Sequence, residues 1–210
     1  MNSAKEFFNN PELAKNKCEK LAEDIEKSLE WEKEKVSDYS PHIVEDNETV
    51  VRQIFSPIHI GDDNEVKTSA FDDVSNKGLS VNRGKFLDED ELHRLGKAQV
   101  ERHNTLKPSA DRGYIGYVSA ITKEVREIIE GSTRVYAVYD TALQDAPYHA
   151  DVCMLLHGGG EHQSKKVAKQ ARRRKLQRLF SNLKTDGSTK HLESTLDKVP
   201  GAKPDKEDKL

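Results

Sequence analysis

The apolar residues of this chain are gathered into short runs, and that limits what it can fold into. Val50 to Phe55, Tyr114 to Val118, Val135 to Tyr139 and Ala150 to Leu156 are rich in β-branched and aromatic side chains and read as strands, with Leu79-Ser80-Val81 as a further extended piece. Between them lie stretches of helical character. Pro11 to about Val36 spaces Leu13, Cys18, Leu21, Ile25, Leu29 and Trp31 as one long, thinly amphipathic helix. Asp88-Glu89-Asp90-Glu91 opens a helix to about Asn104, with acids where the dipole favours them. Ile121 to Ile129 forms another, stopped by Gly131, and Gly158-Gly159-Gly160 releases the chain into a basic helix from about Glu161 to Leu183. Strands and helices without a regular βαβ alternation predict an α+β fold, a small mixed sheet with flanking helices.

Of the 210 residues, 34% are hydrophobic and 34% charged, so an ordinary domain with polar extensions is expected. The divisions are 1–49 as a helical arm and linker, 50–184 as the α+β domain, and 185–210 as a tail too poor in apolar residues to order itself. No run approaches a membrane span, and Met-Asn-Ser-Ala-Lys-Glu lacks the pattern of a secretory leader. Cys18 and Cys153 lack the dense spacing of a disulfide scaffold, which makes the cytoplasm the expected compartment.

The net charge of −3 hides a segregation: residues 1–49 carry −6, while residues 161–184 carry +8. The positive charge lies in Lys165, Lys166, Lys169, Arg172, Arg173, Arg174, Lys175 and Arg178, with Val167, Ala171, Leu176 and Leu179 available to pack. A basic amphipathic helix suits nucleic-acid phosphate, an anionic membrane surface or an acidic protein. The competing expectation is an internal clamp, in which the acidic arm lies against it.

Candidate chemistry falls on the strands. Along His149-Ala150-Asp151-Val152-Cys153, the residues His149, Asp151 and Cys153 share one face, expected to be polar and half-exposed. Arg52 interrupts an apolar strand and Arg83 follows one, each a rim salt bridge or a fork for phosphate, and Ser69 and Ser80 could supply hydroxyl contacts. The triglycine turn lacks the Gly-Lys-Ser/Thr of a phosphate loop, and no zinc spacing is present. No metal site and no cofactor is implied.

The ordered pieces Val51-Arg52-Gln53-Ile54, Ser69-Ala70-Phe71, Leu79-Ser80-Val81 and Ala146-Pro147-Tyr148-His149-Ala150, followed by the basic helix, resemble an uncharacterised family of small bacterial proteins. The resemblance implies a bacterial or phage origin and assigns no activity. A looser likeness is to ADP-ribosyl-transferring folds, under which Arg52 would hold a diphosphate and Ser69 or Ser80 a ribose, with His149 and Asp151 where such enzymes carry a Glu. The leading expectation is therefore a binding protein that engages a polyanion, most simply nucleic acid, through Lys165 to Arg178. The alternatives are an enzyme acting on a phosphate-bearing nucleotide with Arg52 and His149, or a small subunit of a defence or toxin-antitoxin assembly docked through its N-terminal helix.

Overall fold

A computed structural model describes residues 3–159 and 163–187. It is α+β, built on a six-stranded sheet in the order β6-β7-β2-β1-β3-β8. The strands are β1 (Thr49–Ser56), β2 (Leu79–Arg83), β3 (Gly113–Ile121), β6 (Tyr136–Tyr139), β7 (His149–Met154) and β8 (Ser181–Thr185). Every pairing is antiparallel, so the sheet is not mixed. Among the described residues no helix is long and apolar enough to cross a membrane.

Alternation along the strands divides the core. Val50, Ile54, Leu79, Val81, Val118, Val138, Ala150 and Val152 point to one face. There they meet Phe71 and Val74 of the 3-10 helix Thr68–Ser75, Val125 of α5 (Thr122–Arg126), and Leu176 of α6 (Lys165–Leu179). On the other face, Ala137, Tyr139 and Cys153 lie beneath the N-terminal segment, while Val51 and Tyr117 lie beneath Leu92 of α4 (Glu89–Leu106). The middle of this second face, Ser80 and Asn82 of β2 with His149, carries no apolar cover. The functional geometry develops in that gap.

The N-terminal segment is not one helix. It breaks into α1 (Ala4–Phe8), α2 (Lys17–Leu21) and α3 (Ile25–Trp31). The Asp24 side chain accepts from the Lys27 amide and starts α3 afresh, and Pro11 opens a separate 3-10 turn. The short pieces let Phe7, Cys18, Leu21 and Trp31 each reach the sheet, which a straight rod could not do. Consequently Asp151 and Cys153 are buried rather than solvent-facing.

Two further expectations give way to strand pairing. The helix after β3 ends at Arg126, and Ile129–Glu130 (β4) pairs with Thr133–Arg134 (β5) as a hairpin turned by Gly131. The basic helix ends at Leu179, because residues 181–185 add to the sheet edge beside β3. That edge depends on Gly116, whose φ is +151° and whose Cβ, if it had one, would lie 2.1 Å from the Lys184 carbonyl oxygen. Gly116→Ala is expected to cost about 1–3 kcal/mol, with fast amide exchange confined to β8. Unchanged protection at Lys184 and Thr185 would contradict this. Gly160 of the triglycine turn, Glu161 and His162, and residues 188–210 of the tail expected to be disordered lie outside the described residues.

Candidate functional site

The cations of α6 divide into two sets. Arg172, 4% exposed, donates to Glu130 Oε2 at 2.8 and 2.9 Å and to the carbonyls of Leu156 and Gly158. Lys175 reaches Glu130 Oε1 at 3.0 Å, Arg173 reaches Asp72 at 2.8 Å, and Lys169 reaches Glu19 at 3.2 Å. Burial pushes the Glu130 carboxyl upward, but the bonds from Arg172 and Lys175 outweigh it and hold its pKa below the usual range. Arg172 is thus an internal clamp, buried with four of its N–H groups committed within the chain. Lys165, Lys166, Arg174 and Arg178 have no acidic partner among the described residues.

The acidic arm mostly clamps other targets. Glu48 binds Arg83, Glu32 binds Arg126 and Arg134, and Glu45 binds Lys85, leaving Glu19 as its contact with α6. The apolar residues of the arm are covered by the chain's own sheet.

Arg83 is not a phosphate fork. It is fully buried, pairs with both Glu48 oxygens at 2.7 and 2.8 Å, and donates to the carbonyls of His42 and Ile43. Ser69 also lies apart, its hydroxyl bonded to the Ile58 carbonyl at 3.2 Å. Arg52, Ser80 and Asp151, by contrast, line one cleft of about 580 Å³, with His149 directly behind Ser80.

The cleft opens where two strands part. The β1–β2 ladder holds only Val50↔Arg83 and Val51↔Asn82, and from Arg52 onward the two strands have no paired register. The Arg52 guanidinium occupies that opening, with Nη1 donating to the Ser80 carbonyl at 3.0 Å. Its Nε is buried without any hydrogen-bond partner, a deficit of about 1–3 kcal/mol if nothing fills it. Burial lowers the Arg52 pKa to about 10, with Asp73 and Asp151 opposing the fall, so the group stays charged at neutral pH. Gly78 permits the tight floor: its φ is +95°, and a Cβ there would meet Asp151 Cγ at 3.0 Å.

Charge in the cleft is unbalanced. Lys17 pairs with Asp151 at 2.8 Å and Lys77 with Asp73 at 3.3 Å. Burial pulls the Lys17 ammonium down, yet Asp151 offsets this and leaves its pKa raised. Arg52 and Arg112 remain as surplus positive charge, with no salt-bridge partner among the described residues. His59 lines the same wall and adds no charge: burial, with Arg52 and Arg112 nearby, lowers it to about 3. Its Nδ1 accepts from the Phe55 amide at 3.2 Å, so its proton sits on Nε2.

Ser80 Oγ lies 2.7 Å from His149 Nε2. His149 Nδ1 lies 3.0 Å from both the Thr141 carbonyl and the Thr141 hydroxyl. A carbonyl only accepts, so Nδ1 carries the proton and the Nε2 lone pair faces the serine hydroxyl. This is a hydroxyl, a base and a group that orients the base, at hydrogen-bond distances. The orienting group is a backbone carbonyl rather than a carboxylate.

Sequence reasoning missed Lys17, His59, Arg112 and Thr141. Ile58-His59-Ile60, a polar ring between two isoleucines, was the available signal for His59. Thr141 acts partly through its backbone and left none.

His42, Glu45 and Glu48 bring potential metal ligands within 4.8 Å of one another. Arg83 and Lys85 already occupy that group, Lys85 at 2.9 Å from Glu45, so it is a neutralised cluster. Asp140 is the odd member. Burial raises its pKa to about 6 against the pull of Arg83, 3.5 Å away and committed to Glu48. A carboxyl raised in the folded state stabilises below its unfolded value and loses that contribution as pH rises through about 6. His59 acts in the opposite sense, since the unfolded imidazole takes up a proton that the folded one refuses. Comparing Asp140→Asn with the wild type cancels the histidine. The variant is expected to lose about 1 kcal/mol of relative stability between pH 7 and pH 5 in urea titrations; a constant difference would refute the assignment.

Compared with known proteins, the chain matches no family model, no curated protein and no solved structure.

Proposed function

We propose that the cleft is the working site of an enzyme, a transferase or hydrolase acting on a phosphate-bearing nucleotide. The observation that carries this reading is the Arg52 guanidinium, whose buried Nε has no partner, beside an activated serine. A phosphate oxygen accepts from Arg52, and Arg112 adds the second positive charge that a dianion needs. His149 Nε2 takes the Ser80 proton as the hydroxyl attacks the phosphorus of the bound phosphate, while Thr141 holds the ring in the required tautomer. The bond from phosphorus to the nucleoside oxygen breaks, that oxygen leaves with the proton from His149, and water later releases the phosphate from Ser80. Asp151 serves by fixing Lys17 at the cleft wall rather than by transferring protons.

The test is direct. Binding of AMP to the wild-type chain, followed by the imidazole resonances of His59 and His149, is expected to weaken about tenfold or more in Arg52→Ala, since hydrogen bonds to charged groups contribute about 1.5–3 kcal/mol. Turnover against a panel of nucleotides should vanish in Ser80→Ala and His149→Ala, with thermal unfolding unchanged in the serine variant because Ser80 is exposed. Histidine resonances indifferent to millimolar AMP would sink the proposal.

A further inference from the structure

We infer that the ligand of the cleft is part of an extended single strand of nucleic acid, whose backbone runs along the groove between α6 and the 3-10 helix Thr68–Ser75. The inference rests on the cleft reading and names its substrate class. The 3-10 helix is a shared wall: Asp72 lines the α6 groove, while its neighbour Asp73 lines the cleft. At the near end the walls of the two spaces touch through one hydrogen bond, Ser69 Oγ to the Ile58 carbonyl, with Ser69 lining the groove and Ile58 the cleft.

The groove continues along the helix. One section of about 540 Å³ is lined by Lys165, Lys166, Lys169 and Arg173, and a second of about 610 Å³ by Arg174 and Arg178. The sections meet at Thr68, which lines both. Four of the six cations lack an acidic partner among the described residues. The other two are held by Glu19 and Asp72, which are 52% and 54% exposed, while Arg173 also donates to the Ser75 hydroxyl.

The placement of Lys165 and Lys166 is informative in itself. They occupy the first turn of α6, which has no acid, so the helix dipole opposes them. An anion lying across that turn relieves both the dipole and the repulsion between neighbouring cations. A channel bounded by one helix and one turn admits a single extended chain rather than a duplex. Its lining contains no exposed aromatic ring on which a base would stack, so recognition is of backbone phosphates. A line of point charges beside a cleft that holds Arg52 fits regularly spaced phosphates.

The test compares fluorescein-labelled oligo(U) and oligo(dT) of about 12 nucleotides with AMP. It uses the wild-type chain, Arg52→Ala, and a combined Lys165→Ala, Lys166→Ala, Arg174→Ala and Arg178→Ala variant. A strand is expected to bind at least about tenfold more tightly than AMP, and the combined variant to lose about that factor for the strand. The slope of log affinity against log salt should fall by about 2–3 in that variant, with AMP affinity held within about twofold. RNA and DNA arms of equal strength support backbone reading, and a preference for one identifies the sugar. Strand affinity unchanged in the combined variant, a strand no tighter than AMP, or displacement by poly-glutamate as effective as by unlabelled strand would each overturn the inference. Parallel loss of strand and AMP, checked against a circular-dichroism melt, would overturn it as well. These results are separable from the cleft reading, which fails on its own if Arg52→Ala binds AMP as the wild type does.

Discussion

Glu48→Ala is expected to lower the unfolding free energy by about 3–5 kcal/mol, read as a shifted urea midpoint at pH 7 with unchanged slope. Glu48 and Arg83 are both essentially inaccessible to solvent and are joined through two bonds of the bidentate kind. Burial pushes the Glu48 carboxyl upward, but the Arg83 bonds and the Glu45 amide outweigh it and hold its pKa below the ordinary range. Removing the carboxylate leaves a buried guanidinium with the Asp140 oxygen at 3.5 Å, two carbonyls and the His42 Nδ1 at 3.0 Å. Asp140 then becomes its main counter-charge and should titrate well below its present value of about 6. A loss under about 1 kcal/mol would mean that Asp140 already shares the pairing equally.

The same pair explains what was and was not legible in the amino-acid order. β-branched runs located β1, β2, β3, β6 and β7 within a few residues, because such side chains fit a pleated, half-buried surface wherever they occur. Asp88 with Glu91 marked the start of α4, where a reciprocal capping box is present. Spacing of apolar positions, however, counts faces and ignores ends, so Asp24 was passed over, and one helix was expected from Pro11 to about Val36 where a 3-10 turn, α2 and α3 stand. β8 was unreadable for a different reason. Ser181-Asn182-Leu183-Lys184-Thr185 has little strand character of its own and is extended because β3 offers an unpaired edge.

The candidate site was legible as a set of residue types but not as an arrangement. Arg52, Ser80, His149 and Asp151 stood out as polar residues within apolar strands; Arg52, Ser80 and Asp151 line one cleft, and His149 lies behind it, within hydrogen-bond reach of Ser80. Arg83 stood out on the same grounds, but its guanidinium is buried against Glu48 rather than turned to the cleft. Nothing in composition separates an arginine that opens onto a cleft from one that faces Glu48. The segregation of charge was informative about quantity and misleading about place: the acidic arm answers Arg83, Arg126, Arg134 and Lys85, and the basic helix is answered chiefly by Glu130 and Asp72.

That allocation makes Glu32 the second point at which one substitution should have a large effect. Its carboxylate is 5% exposed and accepts from Arg126 Nε at 2.9 Å, from Arg134 Nη2, and from the Val138 amide at 2.6 Å. Val138 belongs to the edge strand β6, whose outer amides have no neighbouring strand, so Glu32 is both the counter-charge for two guanidinium groups and the terminator of a sheet edge. Glu32→Ala should therefore cost about 3 kcal/mol, the sum of an orphaned amide and weakened charge pairing. Arg126 retains Asp46 at 2.6 Å and the Val44 carbonyl, so the loss should fall mainly on β6. Amide exchange at Val138 is the discriminating readout, because it should quicken in Glu32→Ala and stay slow in Arg126→Ala, which leaves the acceptor in place. A double-mutant cycle between positions 32 and 126 is expected to give a coupling of about 1–3 kcal/mol. A coupling near zero with Val138 still protected would show that the arm is held to the sheet by Phe7, Leu21 and Trp31 alone.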